Sequence, residues 1–298
     1  MSNFINTFLQ QVFNKPYYTY HQIEDLGVVN TIYEINGIEE DYILRFNTTD
    51  ASKTIEYKKE KWCLEQVAKL GIPSPKVLDI GVLNGVPYQL MNKLPGVNGS
   101  LCTADQKAEI WEKLGTYTAI FQQIKKMEVE EVLQAEFHKD WKARLHYNIK
   151  ELHSEDSLLI NAIFTEKEHN HIKYLLKSLI GKNFKTGLCH EDLSPRNVMY
   201  DEGTIYLLDW GLGEINIVPH TEIGVLATSG DATDEYLHLF LKGLGISDYK
   251  HQNIKEEINL LNLLHRLDKY RWAEGNAKEI IGEYERKVRM VYDEITLS

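Results

Sequence analysis

Three polar side chains in the second half of the chain have the types and spacing of a phosphoryl-transfer site. Asp192 and Asn197 lie in residues 190–200, which read His-Glu-Asp-Leu-Ser-Pro-Arg-Asn-Val-Met-Tyr, and Asp209 follows in Leu-Leu-Asp-Trp-Gly. The pattern is His-x-Asp-x4-Asn, followed by a strand that ends in Asp-aromatic-Gly. A phosphoryl group in transfer carries negative charge on its oxygens, so a cation must neutralise that charge and a carboxylate must orient the attacking hydroxyl.

Each of the three residues has a predicted role. Mg²⁺ prefers oxygen ligands, so Asn197 and Asp209 are the predicted metal ligands, with water and the phosphates of ATP or GTP completing the shell. Asp192 is the predicted catalytic base, which accepts a hydrogen bond from the substrate hydroxyl. Two other interpretations stay open at this point. The segment is also compatible with a polar surface loop, or with a metal hydrolase that uses His190, Glu191 and Asp192 as ligands.

Composition narrows the class of protein. The chain has 298 residues, enough for two lobes, with 43% hydrophobic and 26% charged residues. Cys63, Cys102 and Cys189 lie far apart, which is typical of a reducing compartment. The sequence shows neither a secretory signal nor an apolar run long enough to span a membrane, so we expect a cytoplasmic protein without a membrane partner. The net charge of −11 argues against a nucleic-acid partner.

The hydrophobic pattern predicts a change of structure along the chain. After an amphipathic opening helix that ends near Pro16, short β-branched or aromatic runs predict strands, and one helix is predicted over 53–70. Pro95 and Gly96 break regular structure, and helical periodicity dominates from Thr103 onward. The predicted strands are 18–24, 31–35, 42–46, 76–82 and 87–91. The predicted helical segments after the hinge are 114–121, 158–180, 256–270 and 277–292.

This order of elements and the His-Asp-Asn motif resemble the aminoglycoside phosphotransferase and choline kinase family of the protein-kinase-like superfamily, over about residues 18–212. The resemblance implies an α+β, two-lobed fold, with a small antiparallel-sheet N-lobe that carries one main helix and a larger, mainly helical C-lobe. The corresponding division is 1–91 for the nucleotide-binding lobe, 92–97 for the hinge and 98–298 for the catalytic and substrate lobe.

The resemblance also implies a set of nucleotide-binding residues. Arg45, late in the third strand, corresponds to the residue that holds the phosphates, and Glu60 on the following helix orients it. A buried guanidinium needs such a carboxylate. For Arg45, an exposed edge-strand position stays open, and Glu60 is also compatible with a solvated helix face.

Two further segments complete the implied nucleotide site. Gly27 and Asn30 lie in the loop that corresponds to the phosphate-covering loop, although a simple hairpin turn also explains it. The backbone groups of Gln89 and Met91 correspond to those that bind the base, although this run is also compatible with ordinary core. By the same resemblance, His190 braces the loop backbone.

Departures from protein kinases favour a small-molecule acceptor. Glu191 replaces the Arg that captures a phosphorylated loop, and no Ala-Pro-Glu follows Asp209. We therefore expect transfer to a hydroxyl of a small molecule, with cationic substrates among the candidates. A protein kinase and a nucleotide-binding regulatory module without turnover stay open as alternatives. Acidic and aromatic residues after the motif are candidates for acceptor binding, although solvated helix faces with one or two core aromatics also explain them: Glu222, Asp231, Asp234, Glu235, Tyr236, Trp272 and Glu274. Oligomeric state and the choice between ATP and GTP stay open.

Overall fold

The computed structural model describes residues 2–13, 18–23, 30–37, 39–50, 52–126, 129, 133–134, 140–276 and 278–297. The strands are β1 (Thr19–Gln22), β2 (Thr31–Asn36), β3 (Asp41–Phe46), β4 (Val77–Leu83), β5 (Val86–Asn92), β6 (Val97–Asn98), β7 (Thr186–Cys189), β8 (Val198–Asp201), β9 (Thr204–Leu207) and β10 (Glu214–Ile217). The helices are α1 (Ser2–Phe8), α2 (Lys53–Lys69), α3 (Ala104–Phe121), α4 (Trp141–Glu151), α5 (Ser157–Ile160), α6 (Glu166–Lys177), α7 (His220–Ser229), α8 (Asp234–Leu244), α9 (Asp248–Asn276) and α10 (Ile281–Leu297).

The chain divides into two compact units. The first contains Met1–Thr103 and Pro195–Gly211, and the second contains Ala104–Ser194 and Leu212–Ser298. Residues 195–211 thus group with the N-terminal part, although they follow the His-Asp motif directly in sequence. The division at the hinge 92–97 drawn from the sequence stays a prediction.

An antiparallel sheet forms the centre of the first unit, in the order β1-β2-β3-β5-β4. Alternating apolar residues of β2 and β3 turn one face of the sheet towards α1, whose Phe8 is fully buried. The Phe4 and Phe46 rings, with centroids 4.3 Å apart, extend this aromatic core. The predicted strands and the helix 53–70 are confirmed within one or two residues, although Glu24 and Pro16 lie outside the described residues.

A second, small sheet in the same unit joins the hinge to the segment after the His-Asp motif. Its order is β6-β8-β9, with Val97 opposite Tyr200 and Val198 opposite Leu207. Gly96 has a φ of +84°, and a Cβ there would lie 2.1 Å from the carbonyl oxygen of Tyr200. The Pro-Gly break predicted from the sequence is therefore also a position where only glycine allows the two backbones to approach.

Helices form most of the second unit, which confirms the predicted mainly helical C-lobe. Its apolar core joins α4, α5, α6, α9 and α10, with Tyr270 and Leu267 fully buried. The predicted helical segment 158–180 is interrupted, because Ala162 adopts a φ of +55° and Thr165 begins α6 with a capping box to Glu168. The predicted segment 277–292 begins at Ala277, which lies outside the described residues, and α10 starts at Ile281.

One pair of helices in this unit packs with unusually close backbones. A Cβ on Gly115 of α3 would lie 2.0 Å from the carbonyl oxygen of Phe240, and one on Gly243 of α8 would lie 1.8 Å from that of Glu112. Reciprocal glycines therefore set the separation between α3 and α8. Among the helices of the described ranges, none combines the length and apolar character needed to cross a membrane.

Candidate active site

Arg45 and Glu60 form a buried ion pair in the first unit. Nη1 of Arg45 on β3 donates hydrogen bonds to Oε1 and Oε2 of Glu60 on α2, at 2.8 and 3.0 Å. Only 8% of Arg45 and 1% of Glu60 is exposed, so each charge requires the other as partner. The structure brings together the two residues that the sequence pairs, and it rules out an exposed edge position for Arg45, because β3 lies between β2 and β5.

Asp209 extends this pair towards the Asp-Trp-Gly motif. Its Oδ1 lies 3.9 Å from Nη2 of Arg45, and 47% of its side chain is exposed. Asp209 has a φ of +53°, and its Oδ1 accepts a hydrogen bond from the N–H of Gly211 at 3.3 Å. Non-glycine residues are uncommon in this left-handed region, although Asp is among those that adopt it most readily.

The hairpin of β8 and β9 places Asn197 and Asp209 at the same end of the small sheet. Asn197 directly precedes β8, and its carbonyl oxygen accepts a hydrogen bond from the N–H of Leu208 at 2.9 Å. Asp209 is the next residue after Leu208. The amide of Asn197 and the carboxylate of Asp209 offer the oxygen ligands that Mg²⁺ prefers, so their chemistry fits the predicted metal.

The environment of the ion pair keeps Arg45 charged. Burial alone would lower the pKa of Arg45, but the carboxylates of Glu60 and Asp209 more than offset burial and raise the pKa above its usual range. Burial raises the pKa of Glu60, which Arg45 opposes. The guanidinium is therefore a fixed positive charge beside Asp209, as an anion-binding site requires.

Tyr57 and Gln89 support this pair, and neither role was predicted. The Tyr57 ring lies 5.8 Å from the guanidinium carbon of Arg45, and its hydroxyl donates to Oδ1 of Asn30 at 3.0 Å. The fully buried Gln89 side chain donates to the carbonyl oxygen of Tyr57 at 3.4 Å and also bonds Glu60. The pattern of β5 hides this role, because a buried Gln in an apolar strand has no local signature.

The remaining predicted nucleotide-binding residues differ in what the structure shows of them. Gly27 lies outside the described residues, whereas Asn30 is bound to Tyr57. Where β5 pairs with β3, the N–H of Asn47 donates to the carbonyl oxygen of Pro87, and the N–H of Lys93 donates to that of Asp41. Hydrogen-bonded positions alternate along an antiparallel pair, so the backbone groups of Gln89 and Met91, which lie between these two bonds, also face β3. Base binding by Gln89 and Met91 stays a prediction. It would use backbone N–H and C=O groups that point towards β3 in this structure.

The His-Glu-Asp segment in the second unit is held by its own backbone contacts. His190 is fully buried, and its Nδ1 accepts the N–H of Asp192 at 3.3 Å. This contact agrees with the bracing role that the resemblance implies for His190. Among the residues that the structure describes, no three His, Cys, Asp or Glu side chains gather into a possible metal site.

The side chain of Glu222 on α7 binds the backbone of the same segment. Its Oε1 accepts hydrogen bonds from the backbone N–H groups of His190 and of Glu191, the latter at 3.2 Å. Burial raises the pKa of Glu222 to about 7, with a further contribution from the charge of Asp192, although the two N–H groups oppose the shift. Glu222 is completely buried, so the interpretation of this residue as an acceptor-binding carboxylate or a solvated charge is wrong. Asp234, Glu235 and Trp272 are exposed.

An antiparallel five-stranded sheet with a buried Arg–Glu pair, followed by a mostly helical part, defines a protein-kinase-like fold. The phosphotransferase enzyme family APH matches residues 23–266, and the chain belongs to this family. Comparison with curated protein sequences finds no match.

Solved structures agree on the fold. The GDP and kanamycin complex of the aminoglycoside phosphotransferase APH(2")-IIia superposes with a TM-score of 0.72 at 14% identity, covering 99% of both chains. Spectinomycin phosphotransferase APH(9)-Ia, in complex with ADP and spectinomycin, has a TM-score of 0.62 at 13% identity, covering 99% of this chain and 98% of the other. Amicoumacin kinase hAmiN, in complex with AMP-PNP and Ca²⁺, has a TM-score of 0.58 at 17% identity, covering 97% and 96%.

Proposed function

We propose that this chain is a kinase that transfers the γ-phosphoryl group of ATP or GTP to a hydroxyl group of a small molecule. The observation that carries the proposal is the contact of Arg45 with both Glu60 and Asp209, because it joins a fixed positive charge to the Asp of the Asp-Trp-Gly motif. Family membership and neighbours solved with GDP, ADP and AMP-PNP support a nucleotide co-substrate.

The reaction assigns one task to each residue. Arg45, oriented by Glu60, binds the phosphate oxygens. Asn197 and Asp209 hold Mg²⁺, which when bound neutralises charge on the β- and γ-phosphates. Asp192 accepts a hydrogen bond from the acceptor hydroxyl and takes up its proton as the oxygen bonds to phosphorus. The bond between the γ-phosphorus and the bridging oxygen breaks, and the nucleoside diphosphate leaves.

The nucleotide site extends from the sheet to the residues that follow β5. After β5 the N–H of Lys93 still donates to the carbonyl oxygen of Asp41, so Leu94 is the first residue beyond this ladder. We assign the base contact to Leu94, because the backbone groups of Gln89 and Met91 are directed into the sheet, and the phosphate cover to the loop with Gly27 and Asn30. The cytoplasm is the proposed location, because ATP and GTP are available there.

The proposed acceptor class rests on the structures similar to this chain. Structures similar to this chain hold kanamycin and spectinomycin, both small molecules. We propose a hydroxyl-bearing small molecule, with aminoglycosides and related cationic aminocyclitols as the first candidates. The exposed Asp234 and Glu235 lie in the first turn of α8, where acidic residues also stabilise the helix, so they do not identify the acceptor.

Nucleotide consumption against a panel of acceptors tests this function. Purified protein with Mg²⁺ and either ATP or GTP is incubated with aminoglycosides, macrolides, choline-like alcohols and sugars, and nucleoside diphosphate release is measured. We expect acceptor-dependent release that is abolished in Asp192→Ala, while nucleotide binding persists. Phosphate transfer to proteins but to no small molecule would overturn the acceptor class, and nucleotide binding without any transfer would indicate a regulatory module.

A further inference from the structure

Glu191 has a strained backbone directly before the proposed catalytic base. Its φ is +63°, in the left-handed region that residues with a Cβ rarely adopt. The direction of the chain into Asp192 depends on this conformation, since the two residues are adjacent. Surrounding contacts must therefore hold Glu191 in place if Asp192 is to have one orientation.

Both ends of Glu191 are fixed by buried partners. Its backbone N–H donates to Oε1 of Glu222 at 3.2 Å. Its side-chain Oε1 accepts a hydrogen bond from Nδ2 of Asn216 at 2.7 Å. Only 5% of Glu191 is exposed, and Asn216 lies on β10, so the side chain reaches into the interior of the second unit.

The Asn216 contact brings a second carboxyl group next to Glu191. The same Nδ2 also donates to Oε1 of Glu214, at 2.8 Å. The two acceptor oxygens share this one donor, so the distance between them is at most the sum of the two hydrogen-bond lengths. A proton on one of these two neighbouring carboxyl groups would allow it to donate a hydrogen bond to the other. Two buried carboxylates at this separation repel each other strongly if both are ionised.

The surrounding charges decide which carboxyl keeps the proton. Arg144 on α4 contacts Oε1 of Glu214 at 2.6 Å. Burial alone would raise the pKa of Glu214, but Arg144 and the hydrogen bond from Glu191 hold it below its usual value. Burial and the charge of Glu214 raise the pKa of Glu191 to about 8, against the opposing effect of Lys269. Glu191 is therefore the protonated partner at neutral pH.

Other titratable groups surround the pair. On α9, Lys269 and Arg266 favour the ionised form of Glu191, while Asp268 lies 4.0 Å from Nε of Arg144. The remaining ionisable neighbours are Cys189 on β7, His190 and Asp192 in the loop, and Glu222 on α7.

We propose that Glu191, in its protonated form, is a positioning residue for Asp192: it donates a hydrogen bond to Glu214 and thereby holds the left-handed turn that orients the base. This inference rests on the kinase function proposed above. When Glu191 loses its proton to solvent, repulsion from Glu214 removes the contact that holds the turn. Asp192 then no longer has a fixed orientation, and turnover falls.

The dependence of kcat on pH tests this role. Wild-type protein, Glu191→Gln and the exposed control Glu166→Gln are compared at saturating nucleotide and acceptor between about pH 6.5 and 9.5. Gln has the shape of the protonated acid and cannot ionise. We expect wild-type kcat to fall about tenfold for each pH unit above a midpoint near 8, with the nucleotide KM unchanged. This decline should be absent in Glu191→Gln and present in Glu166→Gln. Titration of the acceptor would affect all three proteins alike, so it cannot cause a difference between them.

Two results would overturn the positioning role. One is a wild-type kcat that stays constant up to about pH 9.5, and the other is the same decline in Glu191→Gln as in wild type. Glu191→Ala gives a further check, because it removes the hydrogen bond at every pH and should lower kcat throughout with little change in nucleotide KM.

Thermal unfolding separates this inference from the proposed function. A carboxyl with a raised pKa stabilises the fold below its unfolded pKa, and this stability is lost as pH rises through the folded value. The Tm of Glu191→Gln should therefore increase relative to wild type between about pH 5 and 8. A constant Tm difference would refute the buried proton. A wild-type protein with this Tm signature but no transfer to any acceptor would refute the proposed function, and with it the positioning of a base.

Discussion

Arg45 places both hydrogen bonds of one guanidinium nitrogen on the carboxylate of Glu60, at 2.8 and 3.0 Å, while its second nitrogen lies 3.9 Å from Asp209. Arg45 therefore lies between the buried carboxylate of Glu60 and the partly exposed carboxylate of Asp209. A guanidinium held between an internal and an external carboxylate is a fixed positive charge that can attract an anion. This relationship makes Arg45 the centre of the proposed phosphate site, and Glu60 the residue whose loss should disturb it most.

Replacement of Glu60 should affect both stability and nucleotide binding. Glu60→Ala leaves the charge of Arg45 buried without its partner, and we expect a loss of about 3–5 kcal/mol in the free energy of unfolding. Glu60→Gln keeps one acceptor oxygen and should fold, but with a weaker nucleotide affinity because Arg45 is less firmly oriented. Chemical denaturation and nucleotide titration measure the two effects. Glu65→Gln on the exposed side of the same helix is the control, and an equal loss there would contradict the assignment.

Asp192 should be needed for turnover and not for nucleotide binding. Asp192→Ala removes the group that accepts the hydroxyl proton, and general bases contribute about 10²–10⁴-fold to rate. We expect kcat to fall by that order, with the nucleotide Kd changed by less than about threefold. Steady-state kinetics and equilibrium binding check this pair of effects. A variant with wild-type turnover would show that another group orients the hydroxyl.

Much of the first unit could be predicted because its signals are local. Alternating apolar residues predict β2 and β3, and a helix pattern that ends at Gly71 predicts α2. The family resemblance implied the pairing of Arg45 with Glu60, and the cost of burying a lone charge supports it. By contrast, β10 reads Glu-Ile-Asn-Ile and is buried at all four positions. Its alternation suggests one solvated face, so the sequence does not show that Glu214 and Asn216 are buried.

The contacts of the loop before Asp192 could not be predicted, because they depend on residues distant in sequence. The sequence around Glu222 suggests a surface carboxylate. Only the path of α7 brings its side chain to the backbone N–H of His190. Asn216 and Arg144 satisfy Glu214 and Glu191 across separations of many residues. The left-handed conformation of Glu191 has no sequence signal either, since glycine is the usual residue for such a φ.

Asp209 and Asn197 should determine the metal dependence. Asp209→Asn removes the charge of one proposed ligand, and we expect the Mg²⁺ concentration for half-maximal activity to rise at least about tenfold. Titration of activity with Mg²⁺ at fixed nucleotide measures the shift. Asp201→Asn lies at the other end of the same hairpin and is the matched control. If both variants shift the Mg²⁺ dependence equally, general charge and not ligation is responsible.

Glu222 should make the stability of the fold depend on pH. Burial raises its pKa from 4.5 to about 7, so the contribution of Glu222 is fully present below about pH 4.5 and is lost as pH rises towards 7. The corresponding loss is about 3 kcal/mol, because a tenfold change in proton affinity is worth about 1.4 kcal/mol. Glu222→Gln still accepts the backbone N–H groups but cannot ionise, so its stability relative to wild type should rise across this window. Denaturant unfolding at several pH values checks this, and a pH-independent difference would contradict it.

The reciprocal glycines between α3 and α8 allow a matched pair of substitutions. A Cβ on Gly115 would lie 2.0 Å from a backbone oxygen that cannot move independently of α8, so Gly115→Ala should destabilise the fold by about 1–3 kcal/mol. Gly282 lies in α10 with nothing within 4 Å of its Cβ position, so Gly282→Ala should stabilise the protein by up to about 1 kcal/mol through helix propensity. If Gly115→Ala lowers the Tm and Gly282→Ala raises it, the close backbone contact at Gly115, and not the added methyl group itself, causes the destabilisation. Equal shifts would mean that the backbones of α3 and α8 are not in close contact at Gly115.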